Sequence, residues 1–180
     1  PESVDFAASQ NMPIIVGGPT AAIGQVPDVV RLWHDRMEHY GNPHEHIDLA
    51  VAVNVYVAPT MEQAESDIAG LEDVIEQDFA RVGNPRTADG KTPDDYKHWE
   101  HRDRDRGIAG QSARDAGILP LVGTPEVVIE RIEHWQSLGI NSIRCAFGVA
   151  GLDQGKMLDG MRMFSEEVMP HFAEKGVVAE

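Results

Sequence analysis

Apolar positions follow two different rhythms along the chain. Three stretches are continuously apolar and β-branched: "MPIIVGG" (12–18), "IDLAVAVNVYVAP" (47–59) and "INSIRCAFG" (140–148). Runs of this length without polar alternation predict strands buried on both faces, as in a parallel sheet. Between them, apolar residues return every three or four positions, the spacing of a helix with one buried side. Val4, Phe6, Ala7 and Ala8 mark a short first helix, with Pro1, Glu2 and Ser3 in its first turn. Val30, Trp33, Met37 and Tyr40 mark a second over 25–41. Thr60 and Gln63 form a capping box ahead of Met61, Ala64, Ile68, Leu71, Ile75, Phe79 and Val82, and Gly83, Asn84 and Pro85 stop that helix. Thr124 and Pro125 open another, with Val128, Ile132 and Trp135 as its stripe and Gly139 as its end. The last helix carries Met157, Met161, Phe164, Val168 and Phe172 on one face.

Helices alternating with strands predict parallel pairing through right-handed crossovers. That leaves a (β/α) barrel or an open doubly wound sheet. No G-x-G-x-x-G follows any strand, which argues against a dinucleotide-binding fold. Three strands are few for either architecture, since a closed barrel needs about eight strands and about 250 residues. The chain opens directly on helix-forming residues rather than on Met and a lead-in. The expectation is therefore the last part of a barrel, with a small α/β protein as the other possibility. Residues 85–117 break the rhythm: they are polar, charged and aperiodic, and are expected to form an excursion from one domain spanning 1–180.

Composition narrows the function classes. The formal net charge is −15, which disfavours nucleic acid and anionic membranes as partners. No apolar run reaches the ~18 residues that would span a bilayer. Cys145 is the single cysteine, so no internal disulfide can form and a reducing, cytoplasmic location is expected. Alternation puts Cys145 and Arg144 on opposite faces of their strand, so nothing cationic lowers the thiol's pKa and an inert buried residue is expected. His44 and His46, and His34, Glu38 and His39, have spacings that a metal site could use, but H-E-x-x-H is absent and no metal is expected. His98 and His101, and the alternation of Arg102, Arg104 and Arg106 with Asp103 and Asp105, lie in the excursion. The histidines are candidate proton carriers there, and the charge run reads first as a self-paired solvated surface.

Three segments carry a resemblance. "VGTPEVVIERIEHWQSLGINSIRCAFGVAGLDQGKMLDGMRMFSEEVMPHF", "PESVDFAASQNMPIIVGG" and "AVNVYVAPTMEQAE" resemble the bacterial luciferase-like flavin-dependent monooxygenases. The resemblance implies the C-terminal portion of a (β/α)8 TIM barrel, strands six to eight with their helices. It implies reduced FMN supplied by a flavin reductase, O2, and a small organic substrate. It places Ser3 at the turn that holds the flavin phosphate, where a helix N-terminus offers free N–H groups and partial positive charge. Gly17 and Gly18, at the end of the sixth strand, fall near the flavin ring. Tyr56 and Phe147, near the ends of strands seven and eight, are candidates for the substrate pocket or for core packing. The excursion at 85–117 corresponds to a lid. Catalytic residues are not assigned, since the family's ring-facing groups come largely from earlier strands; the fragment alone is expected to be inactive.

Two alternatives accompany this reading. Some relatives use a deazaflavin coenzyme for hydride transfer. A truncated paralogue or remnant without catalysis would instead persist by association through its open sheet edges. Either way a homo-oligomer is expected.

Overall fold

The computed structural model describes residues 2–17, 26–43, 47–69, 89, 91, 121–148 and 151–173. Among the described residues, four strands form one parallel sheet: β1 (Ile14–Gly17), β2 (Leu49–Val57), β3 (Leu121–Gly123) and β4 (Ser142–Ala146). β2 is the centre. Its first half pairs with β1 on one edge, Ile14 opposite Leu49 through Gly17 opposite Ala52. β4 pairs over Ala50–Asn54. β3 joins only the C-terminal end, Val55 to Val57. All pairs are parallel, as the alternation of helices and strands requires.

The helices are α1 (Glu2–Ser9), α2 (Val26–His39), α3 (Met61–Ile68), α4 (Pro125–Ser137), α5 (Gln154–Met163) and α6 (Met169–Ala173). A π-helical turn at Phe164–Val168 separates α5 from α6. Side chains in register on a parallel sheet share a face, so the sheet can be read row by row. Leu49, Val51, Val53, Val55 and Val57 all point to one side and are at most 7% exposed. They pack with Val30, Trp33 and Met37 of α2 and with Val128, Ile132 and Trp135 of α4. This outer face is the main core, and its stripes are the ones the periodicity predicts.

Several details differ from expectation. Tyr40 lies past the end of α2 and is exposed; its hydroxyl donates to Asp5 at 3.1 Å. Phe6 is also exposed, leaving Ala8 as the buried residue of α1. Thr60 caps α3 as its motif predicts, its Oγ1 accepting from the Gln63 N–H at 3.1 Å. The Gln63 side chain turns to Asp67 instead of closing the box. Thr124 stands at the N-cap of α4 without accepting a cap hydrogen bond there. β3 went unforeseen because three residues carry no readable period. The last helix is not continuous: the π-turn resets its phase. α3 ends at Ile68, with Ala69 as its C-cap, short of the stripe expected to run to Val82. Leu71, Ile75, Phe79 and Val82, the excursion at 85–117 apart from Asp89 and Lys91, and His44 and His46 lie outside the described residues.

Candidate functional site

The other face of the sheet is built from different residues. Its rows are Ile15, Ala50 and Ser142; then Gly17, Ala52 and Arg144; then Asn54 and Ala146; and at the top Tyr56 and Val122. Where the outer face carries Val and Leu, this inner face carries Gly, Ala, Ser and Asn. Ile15, Asn54, Arg144 and Ala146 are exposed. Apart from Arg144, the two middle rows carry only small side chains and leave an open floor, and a Gly in place of a branched residue lets a flat group approach the backbone. Arg144 leans toward Asp48 at 3.7 Å, with both side chains more than half exposed.

The C-terminal ends of parallel strands are where α/β folds place their chemistry. Ser3 lies at that end, and the packing of α1 shows why. Asp5 meets Arg36 at 3.3 Å and Tyr40, while three residues later the Ala8 carbonyl accepts from Asn42 Nδ2 at 2.6 Å. α1 therefore runs parallel to α2, which leads from the C-terminal end of β1 back to the start of β2. The first turn of α1 points to the same end as Gly17. Ser3 is exposed there. Asp5, which would repel an anion, is engaged by Arg36 and Tyr40. The Asp5 carboxylate in turn raises the Tyr40 phenol above its ordinary pKa, by the hydrogen bond first and burial second. Gly18 lies outside the described residues.

Tyr56 is on the inner face but closed off, at 3% exposure. Ala64 and Ile68 of α3 and Leu152 cover it. Its hydroxyl donates to Asp67 Oδ2 at 2.7 Å, and Lys156 Nζ bonds the other carboxylate oxygen. Burial, followed by the hydrogen bond to Asp67, drives the Tyr56 pKa well above the ordinary phenol range. Lys156, and then Tyr56, hold the Asp67 carboxyl below its ordinary range. Asp67 and Lys156 went unremarked in the sequence: one falls near the end of a clear helix, the other in the first turn of the last, and no spacing links them.

Phe147 packs on the outer side, its ring edge-on to Phe164 at 5.3 Å between centroids. Together with Cys145, Ile143 and Phe172 it lines an apolar cavity of about 700 Å³ between β4, α4 and the C-terminal helices. Cys145 is half-buried there, and burial raises its thiol pKa, in line with an unreactive residue. Among the described residues, no three His, Cys, Asp or Glu side chains are placed to hold a metal ion. No helix among them is long and apolar enough to cross a membrane.

Solved structures share this fold. Monooxygenase RslO1 from Streptomyces bottropensis superposes with a TM-score of 0.66 at 20% identity, over 95% of this chain and 45% of its own. The oxygenating constituent of 3,6-diketocamphane monooxygenase from the CAM plasmid of Pseudomonas putida, in complex with FMN, gives 0.62 at 19%, over 93% and 45%. The coenzyme F420-dependent tetrahydromethanopterin reductase from Methanopyrus kandleri gives 0.54 at 16%, over 94% and 48%. The chain thus spans about half the length of these structures. No curated protein matches it at a significant level. The parallel sheet with its helices is part of a (β/α)8 barrel. The family model described as luciferase-like monooxygenase matches residues 1–142, and the chain belongs to that family.

Proposed function

We propose that this chain is the flavin-holding C-terminal part of a monooxygenase that acts on a small organic substrate with dioxygen and FMN reduced by a separate reductase. The observation that carries this reading is the inner face. Gly17, Ala52, Asn54 and Ala146 make a floor too small to fill a barrel interior, with Arg144 beside them turned to Asp48, at the end of the sheet to which the first turn of α1 also points. The floor fits a flat ring system, and the serine and free N–H groups of that turn fit a terminal phosphate. Ser3 would hold the phosphate; Gly17, with Gly18 next to it, would let the ring lie against the backbone. Reduced FMN, once bound, supplies the two electrons that reduce dioxygen, one oxygen atom passing to the substrate and the other leaving as water. The chain's own part is to orient the cofactor and to exclude water from the floor. Turnover requires the remaining strands of the barrel. β1 and β4 each pair with β2 alone among the described residues, so their other edges are open to them or to a second copy.

Titration of the chain with FMN and with riboflavin tests the reading. FMN is expected to bind at least tenfold more tightly than riboflavin, and Ser3→Ala to remove about tenfold of that, the size of one hydrogen bond to a charged group. Equal affinity for the two flavins would overturn the phosphate site. A deazaflavin coenzyme is the second reading, supported by the fold shared with the F420-dependent reductase. Tighter binding of F420 than of FMN would select it.

A further inference from the structure

α5 is held to the molecule in an unusual way. Of its ten residues, Gly160 alone is buried. Leu158 and Met161 are 50% and 41% exposed. A helix of this length is marginal by itself, and a segment that buries little apolar surface belongs to the low-stability end of a fold. The turn that follows is the opposite. Val168 is fully buried in the main core and Phe164 packs on Phe147. That turn is π-helical, a geometry associated with kinks and with functional sites.

What seats α5 is polar and close. Lys156, in its first turn, bonds Asp67 of α3, whose side chain is 8% exposed and also accepts from Tyr56. Asp153 caps the same turn, accepting from the Lys156 N–H at 3.2 Å. One helical turn further on, Gly160 lies so near β2 that an added Cβ would stand 3.0 Å from the Val57 carbonyl oxygen and 3.3 Å from the Tyr56 ring. α5 therefore lies across the C-terminal end of β2 and adds to the cover that α3 and Leu152 give Tyr56.

We infer that α5 is a gate over the inner face of the sheet, latched by Lys156 to Asp67 and hinged at the π-turn Phe164–Val168. Opening breaks one ion pair, exposes the Tyr56 phenol and enlarges the mouth of the floor. The apolar burial lost is that of the Tyr56 ring and of the half-buried Met157 and Met163, since Leu158 and Met161 are already exposed. That the gate admits substrate rests on the function proposed above; that it opens does not.

Amide hydrogen exchange read by mass spectrometry on the full chain tests the gate. Lys156→Met keeps the aliphatic stem and removes the charge. It is expected to speed exchange over 154–163 about tenfold, the scale of one charge-assisted hydrogen bond to a nearly buried carboxylate, with α4 (125–137) unchanged. Asp67→Asn should act in the same direction. Arg162→Met, which breaks the exposed pair with Asp159 on the same helix, should change exchange less than twofold. Unchanged exchange over 154–163 in both latch variants would overturn the inference. So would an equal rise over 125–137, which would show α5 opening only with the whole fold. Loss of flavin binding with the gate intact would count against the proposed function alone.

Discussion

Asn141 offers a sharp test of how the sheet is tied together. Its Oδ1 accepts from the Leu49 N–H at 2.8 Å and its Nδ2 donates to the Ile47 carbonyl at 2.9 Å. One exposed side chain thus satisfies both backbone groups at the entrance of β2, 92 residues away. Leu49 itself is 1% exposed, so its N–H has little access to water if the partner goes. Asn141→Ala leaves no cavity, because the side chain is on the surface. Its cost is two hydrogen bonds at about 1 kcal/mol each, with the Leu49 N–H toward the upper end of the range. The expected loss is about 2 kcal/mol. Asn141→Asp keeps the acceptor and loses the donor, so it should cost about 1 kcal/mol. Urea denaturation at 0.5 M salt, which screens Asp48, resolves the two: with a slope of about 2 kcal/mol/M the alanine variant shifts the midpoint down by about 1 M. An alanine variant within 0.5 kcal/mol of wild type, or an aspartate variant less stable than the alanine one, would show that this bridge does not hold β2 and β4 together.

Other expectations follow from the core and the titrating groups. Trp135→Ala, at a 1% exposed position facing β2, should cost about 3–5 kcal/mol by the same urea assay; a loss below 1 kcal/mol would mean the outer face is not the core. Lys156 and Tyr56 bind the charged form of Asp67, so the stability it contributes is present above the unfolded carboxylate pKa and disappears as pH falls through its lower native value. Asp67→Asn should therefore flatten the acid limb of a stability profile, and a variant that loses stability toward acid as steeply as wild type contradicts this. Cys145 should react with iodoacetamide with a midpoint above that of a free thiol, because burial favours its neutral form; a midpoint below it would mean a cation has been overlooked.

The outer half of the fold was legible because it obeys simple periods. The stripes of Trp33 and Met37 and of Ile132 and Trp135 announce one buried side each, and the structure buries them against the valines of β2. The apolar runs predict strands buried on both faces, but Ile15, Asn54, Arg144 and Ala146 leave the other face exposed. The inner face was not legible as a face. A run such as "AVAVNVY" shows small residues alternating with valines, but only the register with β1 and β4 reveals that Ala50, Ala52 and Asn54 share a face with Gly17, Ser142 and Ala146. The Tyr56–Asp67–Lys156 cluster joins residues 89 positions apart from Asp67 to Lys156, and no local signal encodes such a distance. Phe147 illustrates the limit of strand-end arguments: proximity to a catalytic end says nothing about which side of the sheet a ring takes, and its contact with Phe164 decides it.

Arg144, on the open floor, meets Asp48 at 3.7 Å, well solvated, where such a pair is worth little. Any body that closes over this floor, whether further strands or another copy, must strip water from both ions. From that moment the pair turns from a bystander into a checkpoint: a closing surface that seats both charges is tolerated, and one that orphans either pays several kcal/mol. Arg144→Met alone should then weaken the closed assembly, and adding Asp48→Leu should restore it, in sedimentation of variants whose isolated chains are equally stable. Single and double variants that assemble alike would show that this floor stays wet.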